Sequence, residues 1–443
     1  MADANGKTVD NGRGFGLIAR EDLMAKELAF VLINPYTIAK SRTGGVIARY
    51  ISRTDLNFVA ARMFGPSQDL VRRYAQLIRQ SDPAHPQTTG LIAEYILKAY
   101  APDPLTGKPR RVMLLLFEGE EAVRKIWNVT GSATLKSGSG ETIRDTYGDY
   151  ILDDQGRVQY FEPAVLVSPT RKRAAASLSL WSKYSGRDGG VIASALDVPE
   201  GARVEKTLVL LKPDNFRFPS SRPGNIIDLL SSSGLRIVGV KKLCMTVAQA
   251  EEFYGPVRDV LAAKFSDIGG ARVAEVLGKE FGFEVPPDAL QDLCARIGPL
   301  FAETQFESIV EFMTGYKPSA CSAFEKNVRG REGCLALVYD GIDAVSKIRS
   351  IIGPTDPSKA RPGSVRREFG SNVMVNAAHA SDSADNAARE IRILRVEEDT
   401  IKAWVDRYYG GMLSRLASLR KSVPQAGHSL FKRVAQLGKR GDR

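Results

Sequence analysis

The chain has 443 residues, of which 43% are hydrophobic and 26% charged, and a formal net charge of +11. That length exceeds one ordinary hydrophobic core and predicts two domains. No apolar run reaches the length of a membrane span, and the first ten residues lack the apolar stretch of a secretory signal, so a cytoplasmic location is expected. The basic balance favours polyanionic partners without separating nucleotides, nucleic acids and membranes. Cys244, Cys294, Cys321 and Cys334 show neither paired spacing nor a nearby histidine at ligand spacing, which predicts free cytosolic thiols and argues against disulfides and zinc.

In chain order, residues 1–25 are polar and aperiodic and read as a flexible leader; Gly12, Gly14 and Gly16 follow no strand, so they are not a dinucleotide loop. An internal repeat comes next. Leu28-Ala29-Phe30-Val31-Leu32-Ile33-Asn34-Pro35 returns as Thr207-Leu208-Val209-Leu210-Leu211-Lys212-Pro213-Asp214. Val112 to Gly119 returns as Cys334 to Gly341, Gly131 to Thr134 as Gly353 to Thr355, and Glu141-Thr142-Ile143-Arg144 as Gly363-Ser364-Val365-Arg366. The separation grows from 178 positions (Asn34 to Lys212) to 222 (Gly119 to Gly341), so the second copy has gained about 44 residues. Most of the gain falls at about 258–304, which has helical periodicity. Strands alternate with helices in each copy, which predicts two ferredoxin-like α/β sandwich domains with antiparallel sheets. The boundaries expected are 26–184 for the first domain, 185–203 for a linker and 204–410 for the second. Residues 411–443 form a basic amphipathic tail that reads as a helix packing on a partner surface, or alternatively as an arm for nucleic acid or anionic membrane.

The second copy carries the chemistry. Phosphoryl transfer needs cations around the phosphates and a nucleophile held in line. Lys212 ends a strand, while Arg349 and Arg366 can present planar forks to phosphate oxygens. Thr355 offers a hydroxyl, Asn376 an amide and Tyr254 a ring with a phenol. His379, one of three histidines, is the candidate nucleophile, and Glu390 can fix its tautomer through the other ring nitrogen. The Ser381-Asp382 pair after the histidine is a candidate helix cap.

Leu211-Lys212-Pro213-Asp214, Gly353-Pro354-Thr355-Asp356-Pro357, Pro362-Gly363-Ser364-Val365-Arg366 and Asn376-Ala377-Ala378-His379-Ala380-Ser381-Asp382-Ser383 together resemble a nucleoside diphosphate kinase, over residues 206–255 and 305–395. The resemblance implies a ping-pong kinase. It would pass the γ-phosphate of ATP or another nucleoside triphosphate to a diphosphate through phosphorylated His379, with Mg²⁺ carried on the phosphates. Lys212, Tyr254, Arg349, Thr355, Arg366 and Asn376 match the family's nucleotide contacts, and Ser381 and Glu390 match the partners of the histidine. Three departures stand out: Ala380 replaces a glycine, Gln305 (beside Phe306) replaces the base-stacking aromatic, and the helical insertion follows Tyr254.

The first copy resembles the same fold with its site emptied. Asn34 replaces Lys212, Trp127 or Asn128 replaces Arg349, and Leu166 falls in the place of His379 in a last strand spanning Tyr160 to Pro169, while His85 lies on a distant loop. The resemblance implies a homo-oligomer or an intramolecular pseudo-dimer, with the first copy structural or regulatory. The alternative function is a catalytically weak nucleotide-sensing or scaffolding protein on the same fold.

Overall fold

A computed structural model describes residues 26–134, 139–193 and 201–410. The expected leader and basic tail lie outside the described residues. The first half runs β1 (Lys26–Ile33), α1 (Pro35–Ala39), α2 (Thr43–Ser52), β2 (Asn57–Phe64), α3 (Gln68–Arg79), α4 (Pro86–Ala99), β3 (Val112–Glu120), α5 (Ala122–Thr130), α6 (Ile143–Tyr147), β4 (Asp149–Leu152), β5 (Val158–Glu162), β6 (Val165–Leu166) and α7 (Arg171–Asp188). The second runs β7 (Val204–Leu211), α8 (Arg222–Ser231), β8 (Arg236–Leu243), α9 (Val247–Ala263), α10 (Phe265–Phe281), α11 (Pro287–Thr314), β9 (Cys334–Ile342), α12 (Ala344–Ile352), α13 (Val365–Phe369), β10 (Ala378–Ala380) and α14 (Ala384–Ile393). Residues 401–410 are also helical.

Among the described residues, one eight-stranded sheet in the order β10-β7-β9-β8-β2-β3-β1-β6 runs through both halves, and its ladders are antiparallel. Each half therefore has the strand order of a ferredoxin-like unit, and the two lie edge to edge. Strand β7 is buried on both faces from Thr207 on, and its alternate side chains join different cores. Val209 and Leu211 join the core that continues into the first half, while Leu208 and Leu210 join a second core against α9 and α11.

The halves meet on both faces of the molecule, among other contacts, as two crossings show. On the sheet, β2 pairs with β8 through Arg62 opposite Lys241, both buried. On the helical face, α2 crosses α8 where Gly44 lies against Gly224. A Cβ on Gly224 would strike the Gly44 carbonyl oxygen, and a Cβ on Gly44 would strike the Gly224 carbonyl oxygen and the Asp228 carboxylate. Only glycine permits that approach.

Several sequence boundaries shift. The linker expected from residue 185 begins later, because Ser185 to Asp188 are the last turn of α7. Asp188 is pinned there by accepting bonds from the Ser67 amide (2.9 Å) and hydroxyl (2.6 Å). The last strand of the first half is broken: Val158–Glu162 forms a hairpin with β4, and only Val165 and Leu166 pair with β1. Ala164 between them adopts φ +59°, which an extended strand cannot contain. The insertion is continuous with its flanks, since α9 runs on to Ala263 and α11 spans residue 304 without a break. Ser383, rather than Ser381 or Asp382, caps α14, its side chain accepting from the Asn386 amide at 3.1 Å.

Gly224→Leu is expected to lower stability by about 2 kcal/mol or more through this clash. Gly90→Ala on α4, where nothing lies within 4 Å, should instead be neutral or stabilising by up to ~1 kcal/mol. Urea unfolding midpoints of the two variants compare the outcomes.

Candidate functional site

The short strand β10 places the histidine. Its register sets Ala378 opposite Leu211, His379 opposite Leu210 and Ala380 opposite Val209. Directly opposed residues share a face, so His379 joins Leu210 on the side covered by α9 and α11. The imidazole packs edge-on against Phe253 (ring centroids 4.9 Å) and Tyr254 (6.1 Å). The chain enters the strand through Ala377 at φ +67°, a left-handed alanine that costs about 1 kcal/mol or more. It is held by Lys212 N–H (2.9 Å) and the Asn215 side-chain amide (2.7 Å), both donating to the Ala377 carbonyl. Ala380 lies within the strand, so alanine in the family's glycine position carries no left-handed strain.

Glu390 and Ser381 orient the ring. His379 Nε2 lies 3.0 Å from Glu390 Oε1, and Ser381 Oγ donates to Glu390 Oε2 at 2.6 Å. The Leu208 amide donates to Ser381 Oγ at 3.3 Å, so the hydroxyl is tied to β7 as well. Glu390 and Ser381 are buried, whereas the His379 side chain keeps 23% exposure. With Nε2 carrying the proton toward the carboxylate, the lone pair falls on Nδ1.

Cations flank this pair. Lys212 Nζ donates to Asn376 Oδ1 (2.7 Å) and the Met374 carbonyl (3.2 Å), and lies 5.8 Å from the centre of the Phe312 ring. Burial, and then the charge of Arg366, pull its ammonium from an ordinary 10.5 down to about 8. Arg366 is anchored by Nη1 donating to the Gly353 carbonyl (2.9 Å) and Nη2 to the Ala378 carbonyl (3.0 Å). Burial, and then the charge of Arg349, lower its guanidinium to about 10, still protonated at neutral pH. Arg349 is exposed on α12. Thr355 is exposed on the following loop, its carbonyl taking a bond from Asn376 Nδ2 at 3.0 Å. Tyr254 is buried, and its hydroxyl has no hydrogen-bond partner among the described residues.

The sequence reading missed Phe253 and Phe312, which wall the histidine and the lysine. The buried-face periodicity of α9 could have flagged Phe253; nothing local distinguishes Phe312. Phe306 is 1% exposed in the core with Arg258 over its ring at 3.9 Å, so it offers no exposed stacking face beside Gln305.

The first half repeats the backbone of this site without its chemistry. Leu166 pairs with Leu32 on β1 as His379 pairs with Leu210 on β7. Ala164 is left-handed like Ala377, and Arg144 Nη1 donates to the Gly131 carbonyl as Arg366 Nη1 does to that of Gly353. Gly131 N–H bonds to the Trp127 carbonyl as Gly353 N–H bonds to that of Arg349, which assigns Trp127 to the arginine position. Counting from the helix caps Thr170 and Ser383, Ser177 stands where Glu390 is. In the lysine position Asn34 donates to Glu162 Oε1 at 3.0 Å, and burial pushes that carboxyl upward.

A sequence model of the family described as nucleoside diphosphate kinase matches residues 205–265 and 303–399. The chain is similar to a nucleoside diphosphate kinase of Staphylothermus marinus, 30% identical over 200 residues that cover 45% of this chain and 98% of the relative. It is similar to that of Ehrlichia chaffeensis at 31% over 190 residues, covering 43% and 90%. Among solved structures, the Aquifex aeolicus nucleoside diphosphate kinase is 27% identical, with 45% of this chain and 99% of that one covered and a TM-score of 0.28. An NDP kinase from Pyrobaculum aerophilum is likewise 27% identical, covering 43% and 95%, with a TM-score of 0.30. The chain belongs to the nucleoside diphosphate kinase family.

Proposed function

We propose that the chain moves the γ-phosphate of ATP or another nucleoside triphosphate to nucleoside diphosphates through a phosphohistidine at His379. The observation that carries this reading is the Ser381–Glu390–His379 relay, which fixes the ring and leaves Nδ1 as the nucleophilic nitrogen. Its lone pair attacks the γ-phosphorus, the bond to the bridging oxygen breaks, and the diphosphate leaves. A second diphosphate then attacks the phosphorus with a terminal oxygen, the P–N bond breaks, and the lone pair returns to Nδ1.

Lys212, Arg349 and Arg366 would offset the charge spreading over the transferred group. Asn376 and Thr355 would contact the nucleotide from the neighbouring loops. The unpartnered Tyr254 hydroxyl is a buried donor whose unmet bond a phosphoryl oxygen would supply. The cations and neutral donors around His379 suit phosphate oxygens rather than a bare divalent ion, so Mg²⁺ would enter on the nucleotide. The first half, with Leu166 and Ser177 in place of histidine and glutamate, would serve as a packing partner within the chain, making an intramolecular pseudo-dimer.

Incubation with γ-labelled ATP should yield an acid-labile, alkali-stable label on the protein, and His379→Ala should carry none; an unlabelled parent chain, or label persisting in the variant, refutes the proposal. Glu390→Ala should slow formation of that label by about 10- to 100-fold without abolishing it, the order expected for a carboxylate that orients a histidine; rapid-quench kinetics measures it.

Lys212 gives a pH test with two opposite signs. The folded chain releases this proton near pH 8 while the unfolded chain holds it to about 10.5, so the unfolded state binds more protons and stability rises across that window. Over the same rise kcat/KM falls, because the ammonium that binds phosphate is lost. Lys212→Met should remove the stability gain, about 3 kcal/mol at most, from pH-dependent urea unfolding. Its residual kcat/KM should lose the limb near pH 8.

A further inference from the structure

The first half keeps an open cavity where its counterpart of the His379 site lies. The cavity, about 900 Å³ in volume, is bounded by Leu166, Arg144, Trp127 and Thr134, which hold the positions of His379, Arg366, Arg349 and Thr355. That volume is in the range of small-molecule sites, and its walls are mainly apolar, with Leu77, Ile78 and Ile92 on α3 and α4.

Charge has moved within it rather than vanished. The lysine and exposed arginine of the second half are here Asn34 and Trp127. In exchange, α7 begins Arg171-Lys172-Arg173 where α14 begins Ala384-Asp385-Asn386. Lys172 and Arg173 both line the cavity, Lys172 is exposed, and the N-terminal end of an 18-residue helix adds its own positive field. His85 reaches the same cavity from the cap of α4, although it is remote from Leu166 in sequence. Asp82, the acidic residue on the lining, is taken up by Arg173 (3.0 Å) and His85 Nδ1 (3.1 Å). Arg144 adds a buried guanidinium that burial lowers only to about 10, so it stays charged at neutral pH. Even with Asp82 counted, three cations leave the lining net positive.

We infer that this cavity is a second, non-catalytic ligand site that takes a nucleoside phosphate, with its phosphates at the Lys172–Arg173 end of α7 and its ring system against the apolar wall. Leu166 and Ser177 replace the histidine and its carboxylate, so the phosphohistidine route proposed for His379 has no counterpart at this position and the site is assigned to binding. Binding here does not depend on transfer at His379, and the two readings stand or fall separately.

The test is equilibrium dialysis of the full chain with ADP, comparing the parent with Lys172→Glu and Ala176→Phe, while phosphotransfer is assayed in parallel. Lys172→Glu reverses an exposed charge, and Ala176→Phe fills the cavity from its α7 wall. Each should remove one bound ADP per chain, or weaken that site by about tenfold or more, with phosphotransfer rates unchanged. Should both variants bind as much ADP as the parent, the inference is overturned, whether the parent binds one ADP or two. Adenosine should bind this site at least about tenfold more weakly than ADP; equal binding would overturn the phosphate assignment.

Discussion

The strand join between the halves depends on how two buried cations are solvated. Arg62 and Lys241 face one another where β2 meets β8, and burial of like charges is costly unless each is solvated from within. Main-chain carbonyls do that work. Lys241 Nζ donates to Leu394 (3.1 Å) and Arg395 (2.6 Å), while Arg62 donates to Ser185 (3.0 Å), Glu397 (2.9 Å) and Glu398 (2.7 Å). Burial still pulls the Lys241 ammonium down to about 8. The segment 394–398 that supplies most of these carbonyls follows directly from α14, the helix that carries Glu390. The placement of the carboxylate behind His379 is thereby mechanically continuous with the join between the halves.

The two halves separate backbone from chemistry. Both use a left-handed alanine before the last strand, a glycine after the helix that follows the third strand, and an arginine hooked onto main-chain carbonyls. These devices make the fold, and they persist where leucine replaces the strand histidine. Arg366 therefore has a structural task before any catalytic one, since Arg144 performs the same task where Leu166 stands in place of His379. The residues that differ, Leu166, Ser177, Trp127 and Asn34, are the ones whose partners would be phosphates or the imidazole.

Much of this was legible in the sequence because the repeat provides its own comparison. The matching apolar runs of β1 and β7, each ending at a proline (Pro35 and Pro213), marked the strands, and the spacing from the last strand to the following helix put Leu166 opposite His379 in the alignment. The grouping of Lys212 with Asn376 was implied by the family resemblance, and the pairing of β7 with β10 brings the two together. Other features depended on tertiary context. The end of α7 reads as Gly-rich linker, yet Ser67 and Phe64 hold it as helix and bridge. Tyr160 to Pro169 has the composition of one strand, but a left-handed Ala164 divides it. His85 gave no signal of its location because only the packing of α3 against α4 brings it to the cavity.

The path of the chain after α14 has a consequence for how the protein is made. Residues 401–410 leave the second half and return to the first, where Ile401, Val405 and Tyr409 are buried in the core built on β1 and β3. Tyr409 Oη donates to the Leu28 carbonyl and Tyr408 Oη to Glu118. A strand near the start of the described chain thus receives its last covering from residues some 380 positions later. During synthesis the first half emerges before residues 401–410 and keeps part of its apolar surface open until they have appeared. That interval exposes β1 and β3 to wrong partners, a hazard that a chain with each unit closed on itself would avoid.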